Sequence, residues 1–176
     1  MAPKKKIVAI VTEYRPGSHA DVVLTKFLKG FPTDEGFFEP RVELAGLYLD
    51  QLPANDIGYA LAEEHGVTIY DTIAQALTLG GNTYGNDPVE SGTSGAVRPP
   101  THRQAHHHAP PPPTGVPARA QDGVLLIGEH GDYGWNEKDQ HLYPRKYFME
   151  AITGWMSTAG KPVPVFCDKH LSCTHS

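Results

Sequence analysis

The stretch Gly123-Val124-Leu125-Leu126-Ile127-Gly128-Glu129-His130-Gly131-Asp132 decides the fold. From Val124 to Ile127 the apolar residues follow one another with none of the alternation of a half-exposed strand, and Gly128 ends the run. Such a run between turn residues reads as a strand buried on both faces of a parallel sheet. In an open α/β sheet the loops leaving the carboxyl ends of the strands form the ligand crevice. Glu129, His130 and Asp132 are therefore expected at a binding site.

Upstream of this strand the chain alternates between strands and helices. Residues 6–11 read as a first buried strand, ending in Thr12-Glu13-Tyr14-Arg15-Pro16-Gly17-Ser18-His19. Ser18 suits an N-cap, Val23, Leu24, Phe27 and Leu28 mark one helix face, and Gly30 closes the helix. Residues 31–40, with two prolines and a glycine, read as a loop before a second strand at 42–49, with Asp50 at its end. A helix from Asn55 or Asp56 to His65, a short strand at 67–70 and a helix at about 72–79 follow. Alternation of this kind predicts a doubly wound parallel sheet with right-handed crossovers, a Rossmann-like α/β fold. Downstream, Pro144 suits the first position of a helix whose buried stripe is Phe148, Ile152, Trp155, Met156 and Ala159. Gly160 ends it, and residues 163–167 form the last strand, with Asp168-Lys169-His170 after it.

Residues 84–121 break the pattern. These 38 residues hold eight of the 16 prolines and four of the ten histidines, and no Leu, Ile, Phe, Met or Trp. Such a segment cannot bury enough apolar surface to offset the entropy of ordering it, so a disordered insert is expected. Its Arg, Pro, Ala, His and Gly content is also what a shifted reading frame of GC-rich DNA encodes. His102, His106, His107 and His108 read as low-complexity sequence rather than as a metal site.

At 176 residues the chain is long enough for one domain with a proper core. A net charge of -5 provides no basic field for nucleic acid or an anionic membrane surface. The apolar run 7–11 is too short for a signal-peptide core or a membrane span, so a cytoplasmic protein is expected. Cys167 and Cys173 lie too close together for a stabilising disulfide framework.

Asp50, the run Leu61-Ala62-Glu63-Glu64-His65-Gly66-Val67, then Ile69-Tyr70-Asp71-Thr72-Ile73 and Ala76-Leu77, continue in Asp122-Gly123-Val124-Leu125-Leu126-Ile127 and Gly160-Lys161. With Val165-Phe166-Cys167-Asp168-Lys169-His170-Leu171 they resemble the nucleotide-binding half of the Gfo/Idh/MocA oxidoreductases, whose fifth strand typically ends in Cys-Glu-Lys-Pro-Leu. The resemblance implies an NAD(P)-dependent enzyme acting on sugar- or cyclitol-like substrates, with NAD favoured because Asp50 matches the residue that hydrogen-bonds the adenosine ribose. It also implies that Lys169 lies near the nicotinamide, that a carboxyl-terminal substrate domain follows, and that this chain is an amino-terminal fragment. The resemblance is compatible with a homo-oligomer in the full-length form.

The candidate site residues are accordingly Lys169, His130 and Glu129 for catalysis, and Thr12, Glu13, Arg15, Gly17, Asp50 and Gly128 for cofactor binding. The dinucleotide fingerprint needs glycines for close approach of the backbone to the pyrophosphate. This chain has only Gly17 of that set, and Glu13 brings a negative charge that Arg15 offsets. Two alternatives stay open. His130, Glu129 and Asp132, with His19 and His170, suit a metal-dependent hydrolase or lyase or an acid–base pair; a noncatalytic ligand-binding module is the other. Trp135, Tyr143, Tyr147 and Trp155 read as core and loop packing.

Overall fold

The computed structural model describes residues 3–81 and 121–171. The expected insert lies outside them except for its last residue. Gln121 is fully buried, and its carbonyl accepts from Lys161 Nζ at 3.2 Å. Gln121, which composition assigned to the insert, therefore belongs with the packed chain that follows it. Asp122 then locks onto the first strand from both sides, accepting from Lys6 N through its carboxylate at 2.9 Å and donating its own N–H to Lys6 O.

The elements run β1 (Lys5–Val11), α1 (His19–Lys29), β2 (Phe31–Thr33), β3 (Gly36–Phe38), β4 (Val42–Leu49), α2 (Gly58–His65), β5 (Thr68–Tyr70), α3 (Ile73–Thr78), β6 (Gly123–Ile127), α4 (Arg145–Ala159) and β7 (Val165–Cys167). Five strands form one parallel sheet in the order β5-β4-β1-β6-β7. Taken in chain order within that sheet, the strands lie 3-2-1-4-5, the arrangement of a doubly wound fold, and the order reverses between β1 and β6.

Burial explains why these two strands sit at the centre. Every residue of β6 is buried, as are the last five of β1. Side chains of a strand alternate between faces, so Ile7, Ala9 and Val11 join the core under α1 and α2. Val8 and Ile10 join the core under α3 and α4, with Phe148, Ile152 and Trp155. Two helices cover each face, which is what an unbroken apolar run requires. Ser18 caps α1 by accepting from Asp21 N, and Thr72 caps α3 by accepting from Gln75 N.

The sequence reading of 31–40 as plain loop is corrected. The segment is a hairpin in which Phe31 pairs with Phe38, Pro32 with Phe37 and Thr33 with Gly36. All of these residues are exposed, so no alternation marks them, and Pro32 is tolerated because the strand is an edge. Strands β5 and β7 are each shorter than expected at their start. Val67 N donates to Ala62 O and so closes α2, while Pro164 lacks an N–H and only its carbonyl enters the sheet, accepting from Val124 N. Among the described residues no helix is long and apolar enough to cross a membrane.

Candidate functional site

The loops after β1 and β6 meet where the strand order reverses. Thr12 N donates to Ile127 O, and Thr12 Oγ1 donates to Glu129 O at 2.6 Å, so the two loops are tied at their roots. Past that knot the chain places Glu13, Arg15 and His19 from the β1 side, Glu129 and His130 from the β6 side, and Asp168 from the end of β7.

These side chains form a connected polar cluster. The Glu13 carboxylate, almost fully buried, accepts from Arg15 Nε at 2.5 Å. The other end of the guanidinium lies 3.4 Å from His130 Nδ1. His130 meets the ring of His19 edge-on at 5.2 Å between centroids. His19 Nδ1 in turn lies 2.9 Å from Asp168 Oδ2, and the second Asp168 oxygen accepts from Gly128 N at 3.3 Å. The Asp168 side chain is 6% exposed and the His19 side chain 37%, so the carboxylate is sheltered and the imidazole reaches solvent.

Local backbone geometry shapes the cluster at two positions. Gly128 is needed for space: a Cβ there would lie 2.3 Å from Arg145 Cγ, and it is this gap that lets the buried arginine stem pass and set its guanidinium 3.6 Å from Glu129. His130 has φ of 69°, in the left-handed region that a branched or bulky residue seldom adopts. Strain of this kind costs on the order of 1–3 kcal/mol and gathers at functional sites.

His130 is held toward its neutral form. Burial is the main cause, the electrostatic influence of Arg15 and of the neighbouring His19 ring adds to it, and Glu129 and Glu13 oppose it. Its Nε2 is buried and has no hydrogen-bond partner among the described residues. Because its folded pKa is depressed, the unfolded chain binds a proton that the folded chain resists. Stability is therefore unaffected well above pH of about 6.5, falls as pH drops through that unfolded value, and has lost the full contribution below the lowered folded one. Thermal melts between about pH 8 and about pH 5 should show a smaller acid loss in His130→Gln than in the parent chain. Equal losses in both would show that His130 is not the group responsible.

The structure brings together Thr12, Glu13, Arg15, Gly128, Glu129 and His130, six of the nine residues named for catalysis and cofactor binding, and with them His19 from the alternative set. Asp50 stands apart, at the end of β4. Its carboxylate accepts from the Tyr48 hydroxyl at 2.6 Å and from the Tyr133 hydroxyl at 2.7 Å. Burial and the Asp50 charge push the Tyr133 phenol far up, so it stays a donor. Asp132 enters the neighbourhood through its backbone alone, exchanging two hydrogen bonds with the Gln51 amide at 2.8 and 3.0 Å. Among the described residues no hydrogen bond or ion pair joins the Lys169 or His170 side chain to the cluster. Gly17 lies at the start of α1 with φ of 75°, and its N–H donates to Asp21 Oδ2 at 2.9 Å.

Residue-type reasoning missed Asp168 as a member of the site. The clue was its position, the first residue after a strand at the carboxyl edge, the same place from which Asp50 leaves β4. Among the described residues no group of three His, Cys, Asp or Glu side chains stands close enough to hold a metal ion.

The fold and the site together define an α/β protein with a five-stranded parallel sheet and a polar cluster bearing two histidines at its switch point. No family model, curated protein or solved structure matches this chain.

Proposed function

We propose that the crevice between β1 and β6 binds a small polyhydroxylated molecule and that the His19–Asp168 pair moves a proton on it, as in a hydrolase or lyase. The observation that carries this reading is the 2.9 Å contact between His19 Nδ1 and the sheltered Asp168 carboxylate. A carboxylate accepting at Nδ1 fixes the tautomer in which Nε2 is free to act as a base, and stabilises the imidazolium that forms when it does. Arg15 stands beside His130 with a third of its side chain exposed, placed to stabilise negative charge developing on a bound oxygen.

A second reading, the NAD(P)-binding half of a Gfo/Idh/MocA-like oxidoreductase acting on sugars or cyclitols, is favoured by the strand order and by Asp50 at the end of β4. It ranks below the first because of what fills the phosphate position. A pyrophosphate sits on free amides at a helix N-terminus. Here Gly17 N is taken by Asp21, while Arg15 N and Asp21 N both donate to Ser18 Oγ at 3.3 and 3.2 Å. Asp21 and the buried Glu13 carboxylate add negative charge where phosphates need positive. Both oxygens of Asp50 are already engaged by tyrosine hydroxyls.

Imidazole NMR separates the two. Titration with myo-inositol or methyl glucosides should move the His19 and His130 ring resonances, while NADH should neither move them nor draw energy transfer from Trp135 and Trp155. Energy transfer to NADH that weakens in Asp50→Ala and Lys169→Ala, with silent histidines, would overturn the first reading in favour of the second.

A further inference from the structure

We infer that Trp135 and His141 form a stacking platform for a pyranose ring at the mouth of the crevice; the ligand class rests on the polyhydroxylated-substrate reading above. Trp155 is buried, as the sequence suggested, but Trp135 is 65% exposed. An indole that large is normally covered, so a rigidly displayed one needs an explanation.

The display is rigid because of Asn136. Its carbonyl oxygen accepts from Lys138 N and Gln140 N at 2.9 Å, its amide donates to Gln140 Oε1 at 2.8 Å, and its backbone N–H donates to Gln140 O at 3.0 Å. Leu142 N donates to Gly134 O at 2.8 Å, closing the excursion at its base. Trp135 and His141 form a β-bridge across it, and their rings stack at 4.3 Å and 30°. One face of the indole thus rests on His141, which leaves the other for a ligand.

The platform is continuous with the crevice. His141 meets Tyr143 edge-on at 4.4 Å. Arg145, which faces Glu129, lies over the Tyr143 ring at 5.0 Å. Two ring contacts and Arg145 therefore link Trp135 to Glu129, the neighbour of His130, so one ligand a few rings long can reach both.

Charge selects the ligand. The exposed tip between the stacked rings carries Glu137, Lys138 and Asp139. Carboxylates accept hydrogen bonds from sugar hydroxyls and repel phosphates, which favours a neutral saccharide over a nucleotide. The axial C–H face of a pyranose gives the flat apolar surface that an indole face takes up.

Acrylamide quenching tests this, since Trp155 is buried and Trp135 supplies the quenchable emission. Maltose, cellobiose, methyl glucoside and adenosine are offered at millimolar concentration to the parent chain, Trp135→Phe and Trp135→Ala. At least one saccharide should shield Trp135 in the parent chain, and its affinity, read by titration calorimetry in all three proteins, should fall roughly tenfold in Trp135→Ala and much less in Trp135→Phe. Shielding by adenosine alone, by none of the probes, or saccharide affinity unchanged in Trp135→Ala would overturn the platform. Retained His19 and His130 shifts in that last case would leave the crevice reading intact. Saccharide shielding without any shift at the two histidines would uphold the platform and remove the acid–base reading.

Discussion

Asp168→Asn should leave the chain folded and reduce proton transfer at His19 by about 10²–10⁴-fold, the range that positioned general bases contribute. The buried side chain serves two partners at once: His19 Nδ1 at 2.9 Å and Gly128 N at 3.3 Å. Gly128 N is a fixed donor, so the carbonyl oxygen of the new amide must face it. The amide NH2 then faces His19, and two donors cannot share that contact. Nδ1 must become the acceptor, the ring proton moves to Nε2, and the outward nitrogen can no longer take a proton from a ligand. The tautomer change is visible without any substrate, as exchange of the two ring ¹⁵N shifts of His19. Asp168→Ala should instead lower stability by about 1–3 kcal/mol, because the Gly128 amide loses its acceptor. Unchanged His19 ¹⁵N shifts in Asp168→Asn, or unchanged turnover once a substrate is found, would refute the role given to the pair.

The same contacts show what a sequence can and cannot disclose. β6 was legible because five buried residues in a row have no other home than the middle of a parallel sheet. β4 was legible for a related reason, and its bounds agree at both ends. Ser18 was readable because capping is local chemistry, an oxygen meeting an amide three residues on. The hairpin of β2 and β3 was not readable, since its exposed residues follow no burial rhythm. The site divides along the same line. That His130 and Glu129 sit at the carboxyl edge follows from where a strand ends. That Asp50 spends its oxygens on Tyr48 and Tyr133 does not, because Tyr133 comes from 83 residues away along the chain. Packing, which decides how the 128–143 loop folds back, is invisible to local pattern. The β1–α1 turn, which lacks the dinucleotide glycines, is occupied by its own Ser18 and Asp21 side chains, with the buried Glu13 beside them.

Phe148→Ala should be the most damaging single substitution in the core, costing about 3–5 kcal/mol. Phe148 is fully buried on the α4 side of the sheet, in the cluster that holds Val8, Ile10, Val124, Leu126, Ile152 and Trp155. The neighbours are strand residues fixed by pairing on both sides and a helix anchored at both ends, so the site has little means to collapse onto the space left behind. A domain of this size is held by about 5–15 kcal/mol in all, so the loss can consume most of it. The consequence reaches the site as well. Phe148 meets Tyr48 edge-on at 6.1 Å, and the Tyr48 hydroxyl holds one oxygen of Asp50 while Tyr133 holds the other. A loosened Tyr48 therefore slackens the pin between β4 and the loop that carries Tyr133. Urea unfolding should show the midpoint of Phe148→Ala falling with an unchanged slope, and Phe148→Leu, which leaves a smaller cavity, losing less. Tyr48→Phe should keep most of the stability and release the Asp50 contact. A cost below about 1 kcal/mol for Phe148→Ala would mean that α4 does not pack on the sheet as described.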